Sequence, residues 1–123
     1  MKATRDIIDV INSLAPAARA ASANGTGVDL ANAQENTFYV HPGVVTDGTH
    51  TPKLQDSADN SAWADVVVAT DQVGTLAAIA SNVIQQVSYI GSKRFVRVVM
   101  TTAGATTGAV ASAGAVVKLR KQP

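Results

Sequence analysis

The run Tyr89-Ile-Gly-Ser-Lys-Arg-Phe-Val-Arg-Val-Val-Met-Thr101 decides the fold class. From Arg94 to Thr101, Val96, Val98 and Met100 alternate with Phe95, Arg97 and Val99. That period of two sends successive side chains to opposite faces of a sheet. One face is wholly apolar and the other carries Arg97, as expected of a strand with one side in a core. Gly91-Ser92 marks the turn before it, and Thr102 to Thr107 is a Gly- and Thr-rich turn after it.

The same grammar extends in both directions. Downstream, Ala109 to Leu119 reads as a final strand with Gly114 at a bulge, and Lys118, Arg120 and Lys121 as a solvated tail. Upstream, Val87 and Tyr89 begin a strand. Thr49 to Gln55 is extended, with Leu54 inward, Lys53 and Gln55 outward, and Pro52 favouring an edge. Asp47-Gly48 and Asn24-Gly25 read as turns because these residues tolerate positive φ. Phe38 and Val40 alternate with Tyr39 and His41 in a strand that bends near Pro42-Gly43, and Val28 and Leu30 open another apolar alternation. Val66 to Val68 is a short β-branched run. Leu76, Ile79, Ala80 and Val83 fit either a helix or a loop crossing the sheets. Many short strands separated by Gly, Asn, Asp and Pro turns specify an all-β fold, an antiparallel β-sandwich or jelly-roll-like barrel.

The N-terminal stretch is read differently. Ile7, Ile8, Ile11 and Leu14 have helical spacing, yet most are β-branched and the run stops before Pro16, so a short helix and an extended arm both fit. The arm is preferred, because Ala15 to Ala23 lacks large apolar side chains to anchor it in a core. The expected organisation is an N-terminal arm over 1–23 and a single β-sandwich domain over 24–123. Asp6, Asp9 and Asn12 interrupt the apolar run, which argues against a signal peptide.

A chain of 123 residues fits one domain and buries roughly two-thirds of the surface its unfolded form exposes. Ten Lys and Arg nearly balance nine Asp and Glu, so bulk electrostatics favours neither nucleic acid nor an anionic membrane. Proteins are the expected partners. Without cysteine there is no disulfide, thiolate ligand or cysteine nucleophile. No segment reaches the roughly 18 apolar residues of a membrane span.

The polar residues carry no strong chemical signature. Asp56, Asp59 and Asp65 with Asn60 form an oxygen-rich loop, but Ala58 stands at the third position and no Glu at the twelfth, so a self-capped turn is expected rather than a calcium loop. His41 and His50 lack a companion ligand, and no nucleophile elbow is present, so both are read as turn or surface histidines. Gly104 and Gly108 are not followed by the Lys of a phosphate loop. Lys93, Arg94 and Arg97 beside Tyr89 and Phe95 form a basic cluster, read as a solvated or salt-bridged strand face rather than a single-strand nucleic-acid platform. Trp63, the only Trp, is expected to plug the end of the sandwich core. No enzyme activity, cofactor or metal site is expected.

Five motifs taken together carry a resemblance: Ser13-Leu-Ala-Pro-Ala-Ala18, Asn24-Gly-Thr-Gly-Val-Asp-Leu30, Asp47-Gly-Thr-His-Thr-Pro-Lys-Leu-Gln-Asp-Ser57, Tyr89-Ile-Gly-Ser-Lys-Arg-Phe-Val-Arg-Val98 and Gly104-Ala-Thr-Thr-Gly-Ala109. Over nearly its whole length the chain resembles small structural proteins encoded in the head genes of tailed bacteriophages and prophages. The resemblance implies a minor capsid, decoration or cement protein, bound as a trimer to the major capsid protein lattice on the virion surface and made in the host bacterial cytoplasm. A tail or head-completion component belongs to the same class. On such a protein Ile7, Ile8, Ile11 and Leu14 become the expected inter-subunit contacts, since exposed aliphatic side chains on an arm need a partner surface. More distantly, Ser57-Ala-Asp-Asn-Ser-Ala-Trp63 and Phe95-Val-Arg97 resemble the Ser-Asp-Asp-Gly-x-x-Trp loop and Tyr-Val-Arg strand of galactose-binding-like sandwiches, with Ala58 and Asn60 departing from the pattern. That likeness implies a carbohydrate-binding module.

Overall fold

The computed structural model describes residues 1–120; Lys121 of the expected tail lies outside them. The elements are β1 (Ile8–Arg19), β2 (Ala23–Asn24), β3 (Val28–Asp29), β4 (Ala33–Val45), β5 (Thr49–Ser57), β6 (Ala64–Asp65), α1 (Val68–Asp71), β7 (Gln72–Val73), β8 (Gln85–Tyr89), β9 (Phe95–Ala103) and β10 (Ala109–Leu119). They form two antiparallel sheets. One runs β1-β10-β4-β8-β7; the other runs β2-β9-β5-β6, with β3 also on β9. The sheets pack face to face as an open sandwich, so the barrel alternative does not apply.

The core follows from alternation. β9 turns Val96, Val98 and Met100 inward against Phe38 and Val40 of β4, Leu54 of β5 and Val87 of β8. β10 turns Ala109, Ala111, Ala113, Ala115 and Val117 inward, all buried. Across the ladder Leu14 lies opposite Ala113 and adds bulk beside this small inner face. The rest of the bulk in this core comes from Phe38 and Val40 of β4, Leu54 and His50 of β5, Val87 and Tyr89 of β8, and β9.

The segment 1–23 is not an arm. Ile8 to Arg19 pairs along β10 as the edge strand of the sandwich, and Leu14 is only 2% exposed within the chain's own core. The arm reading fails because β10 supplies what the Ala-rich segment lacks: a ladder of backbone hydrogen bonds does not need large side chains. The ladder shifts register between Asn12 and Leu14, leaving Ser13 as an extra residue on β1. The bulge expected at Gly114 thus lies on the strand opposite it. Ser13 is buried, accepts from the Val98 amide at 3.0 Å and donates to the Thr26 carbonyl at 2.8 Å, stitching the edge of one sheet to the centre of the other. Gly25 lies against this stitch: a Cβ there would stand 2.5 Å from both Ser13 Oγ and the Val98 carbonyl. Close approach, rather than a hairpin turn, requires that glycine.

Other expectations divide. Gly48 has φ +81° and closes the β4–β5 turn. β4 carries a bulge at Gly43–Val44, where Pro42 and Val45 face Ala111 and Ala109. Val66 is buried, but Val68 opens a single helical turn in place of a strand. The stretch with helical spacing, Leu76 to Val83, is a loop that lays Leu76 and Ile79 on the core.

Candidate interaction surfaces

Of the four aliphatic residues expected to meet a neighbouring subunit, Leu14 and Ile11 belong to the core and its margin. Ile8 is half-buried and Ile7 is 50% exposed at one end of the molecule, where the Ile7 carbonyl accepts from the Leu119 amide. Ile7 is thus the most exposed of the four, Ile8 and Ile11 are each half-buried, and Leu14 is withdrawn into the core.

The outer face of the β9 sheet is a closed polar network. Trp63 does not plug the core; the Arg97 guanidinium lies 4.4 Å from its ring centroid, and a Cβ on Gly27 would touch the far edge of the indole. Arg97 also donates twice to Gln55 Oε1, at 3.0 and 2.7 Å. Gln55 in turn donates to Asp65, which pairs with Lys53 at 3.0 Å. Hydrogen bonds from Gln55 and Lys53 hold the Asp65 carboxyl below its ordinary range. Alongside, Arg94 forms a fork with Asp29 at 2.9 and 2.8 Å, and that fork with the Ala31 amide lowers the Asp29 pKa to about 2. The basic cluster of the sequence is thus split: Arg94 and Arg97 are engaged with separate partners, and one indole face that a sugar ring would stack on is occupied by Arg97.

The remaining polar candidates are structural. Asp59 accepts from the Ser61 and Ala62 amides and from Ser57 Oγ, so the oxygen-rich loop is the expected self-capped turn. Those amides depress its pKa. His41 is exposed, but His50 is 1% exposed, with Nδ1 2.8 Å from Thr102 Oγ1 and Nε2 2.9 Å from the Asp47 carbonyl. The surface reading of His50 is corrected; two positions before Pro52 and four before Leu54, it falls on their inward face. Among the described residues, no three His, Cys, Asp or Glu side chains gather as a metal site.

Exposed aliphatic side chains lie in two regions: Val10, Val44 and Val110 on β1, β4 and β10, and Val67, Val68, Val73, Val83, Ile84 and Ile90 in or beside α1, β7 and β8, the β7–β8 margin, where Ile84 and Ile90 are each 59% exposed. The margin is blunted as a strand edge: β7 covers Tyr89 and Ser88, and the Gln85 carboxamide both donates to the Ala77 carbonyl and accepts its amide. β7 and the Gln85–Ala77 pair thus cover part of the β8 edge, while the apolar side chains remain outward.

At the end bearing Ile7, an open groove of about 1230 Å³ lies between β4, the segment Ile90 to Arg94 and the end of β10. No protein-family model and no curated protein matches the chain.

Proposed function

We propose that the chain is a virion structural protein that decorates or cements a tailed-phage capsid by binding the major capsid protein lattice as a trimer. The observation that carries this reading is the division of its surface. Charged side chains on the β9 sheet are consumed in internal pairs, whereas uncharged aliphatic side chains line the β7–β8 margin. Such a margin desolvates at low cost against another protein, because few charges lose hydration there. The resemblance to phage head proteins supplies the partner, and lattice symmetry multiplies a modest interface into a shell-wide one.

The test is co-sedimentation of the purified protein with bare phage shells, read as copies bound per major capsid protein, with sedimentation equilibrium of the free chain. Saturation at a fixed ratio by a trimer is the expected result. Intact shells that bind none of the folded protein would move the assignment to tail or head-completion assembly.

A further inference from the structure

The two outer faces of the sandwich differ in charge. β5, β6 and β9 carry Lys53, Asp65 and Arg97 in the polar network described above. The other sheet has no such residues over most of its width. Val10 to Ala18 of β1, Asn36 to Val45 of β4, Gln85 to Tyr89 of β8 and Ala109 to Val117 of β10 contain no Asp, Glu, Lys or Arg. Glu35 and Lys118, opposite one another, come only at one end. β10 lies between β1 and β4, and from Ala109 to Val117 its one polar side chain is Ser112. That composition is typical of a strand covered on both faces. Within one chain only the inner face is covered, and Val110 is left 44% exposed.

The uncovered face has low relief. Val10 and Thr37 flank Val116 from the two neighbouring strands. Glycines let larger side chains lie down beside them: a Cβ on Gly114 would stand 2.8 Å from the Tyr39 hydroxyl oxygen, and one on Gly43 would stand 3.4 Å from Val110 Cβ. Tyr39 therefore lies across Gly114, and Val110 rests against Gly43. The Ser112 hydroxyl is already satisfied, donating to the His41 carbonyl at 3.3 Å. Val10 and Val44 are each 60% exposed. With a strand spacing of about 4.8 Å and a rise of about 3.3 Å per residue, the four strands present roughly 500–600 Å² in plan, before the relief of side chains is added. A standard interface takes about 800 Å² of accessible surface from each partner, so the face is of a size to hold one.

We infer that this face is the contact between copies of this chain, packed outer sheet against outer sheet. A surface without formal charge gives a charged partner nothing to pair with, whereas its own copy meets it without opposing like charges. Two such sheets stack about 10 Å apart with their aliphatic side chains interdigitated, as in a sandwich core. Stacking supplies the second cover that β10 lacks in a single chain. The inference goes beyond the capsid reading, which sets a copy number and locates no contact between copies.

The test is sedimentation equilibrium of the intact protein over a wide range of concentration. The chain is expected to associate, with a dissociation constant unchanged within about twofold between low and physiological salt, because an uncharged contact is not screened. The variant Val10→Lys/Val110→Lys changes two exposed positions and is checked for native amide dispersion. It should raise the dissociation constant at least about tenfold, since unpaired ammonium groups would be buried at the contact. Ile84→Lys, on the β7–β8 margin, should leave it unchanged. A chain that stays monomeric throughout, association that survives the double lysine variant, or an equal loss from Ile84→Lys would overturn the proposal. A monomer whose double variant alone fails to bind phage shells would overturn it in favour of the capsid protein as occupant. Dissociation by the double variant of an assembly other than a trimer would uphold the contact and remove only the copy number of the capsid reading.

Discussion

Ser13 shows how one hydroxyl holds two sheets together. It has no sequence neighbour that announces its role, yet it satisfies the Val98 amide in the middle of β9 and the Thr26 carbonyl beside β3. Ser13→Ala leaves that buried amide without an acceptor and should destabilise the protein by about 1–3 kcal/mol. Ser112→Ala, which removes a bond to the His41 carbonyl at the surface, should change stability by less than about 0.5 kcal/mol. Urea unfolding of the two variants checks the contrast; equal effects would show that the stitch contributes no more than a surface hydrogen bond. The residue scale is also where the sequence was least legible. The Trp63–Arg97 stack joins residues 34 positions apart, and both are polar-capable groups on outward positions whose proximity depends on the registers of β5, β6 and β9. By contrast, the inward placement of His50 was available from the period of two set by Leu54, and the turn chemistry of Asp59 was available from composition alone.

Elements were legible where side-chain size alternated and illegible where it did not. β9 and β4 place large apolar residues at every second position, and both stand where that pattern puts them. β1 lacks the pattern because two register shifts beside β10 break its alternation and its second half, Ala15 to Arg19, has no large apolar side chain, and so an edge strand reads as a loose arm. Leu76 and Ile79 have helical spacing by coincidence: a loop drops them onto the core from outside the sheet. Turns, too, are coupled across elements. Asp47, between β4 and β5, accepts from the amides of Gly108, Thr107 and Thr106, between β9 and β10. Gly108 lies so close to the Arg19 carbonyl that a Cβ would overlap it, which brings β1 to the same corner. Asp47→Ala should free these amides while the strands persist. Hydrogen exchange should then accelerate at Thr107 and Gly108 and stay unchanged at Val98; acceleration throughout β9 would show that the corner is not a separable unit.

At the scale of the whole molecule, the buried and surface pairs set a pH window for stability. The Gly108 and Thr107 amides lower the Asp47 pKa, the Ala62 and Ser61 amides lower that of Asp59, Gln55 and Lys53 lower that of Asp65, and Arg94 lowers that of Asp29 to about 2. A carboxyl depressed in the folded state stabilises it above the unfolded value of 3.8 and loses that contribution as pH falls toward the folded value. Tyr89 works at the opposite end. Burial first, and then its bond to Asp56, raise its pKa to about 12, so the stability it provides is complete below the unfolded value of 10.0 and is lost as pH rises through 12. Thermal midpoints should therefore be flat through neutrality, decline from about pH 4 downward and decline again above about pH 10. Tyr89→Phe should lower the plateau and flatten the alkaline limb, and an unchanged alkaline limb would assign it to other groups. Association belongs to this scale as well, because the β7–β8 margin makes no demand on the core. Ile84→Glu places a charge on a side chain that is 59% exposed, so it should change unfolding free energy by less than about 0.5 kcal/mol. If that margin meets the capsid lattice, the same substitution buries an unpaired carboxylate on binding and should weaken attachment to shells by at least about tenfold. Co-sedimentation of the folded variant decides the matter: loss of binding places the contact on this margin, and undiminished binding moves it to another face of the sandwich.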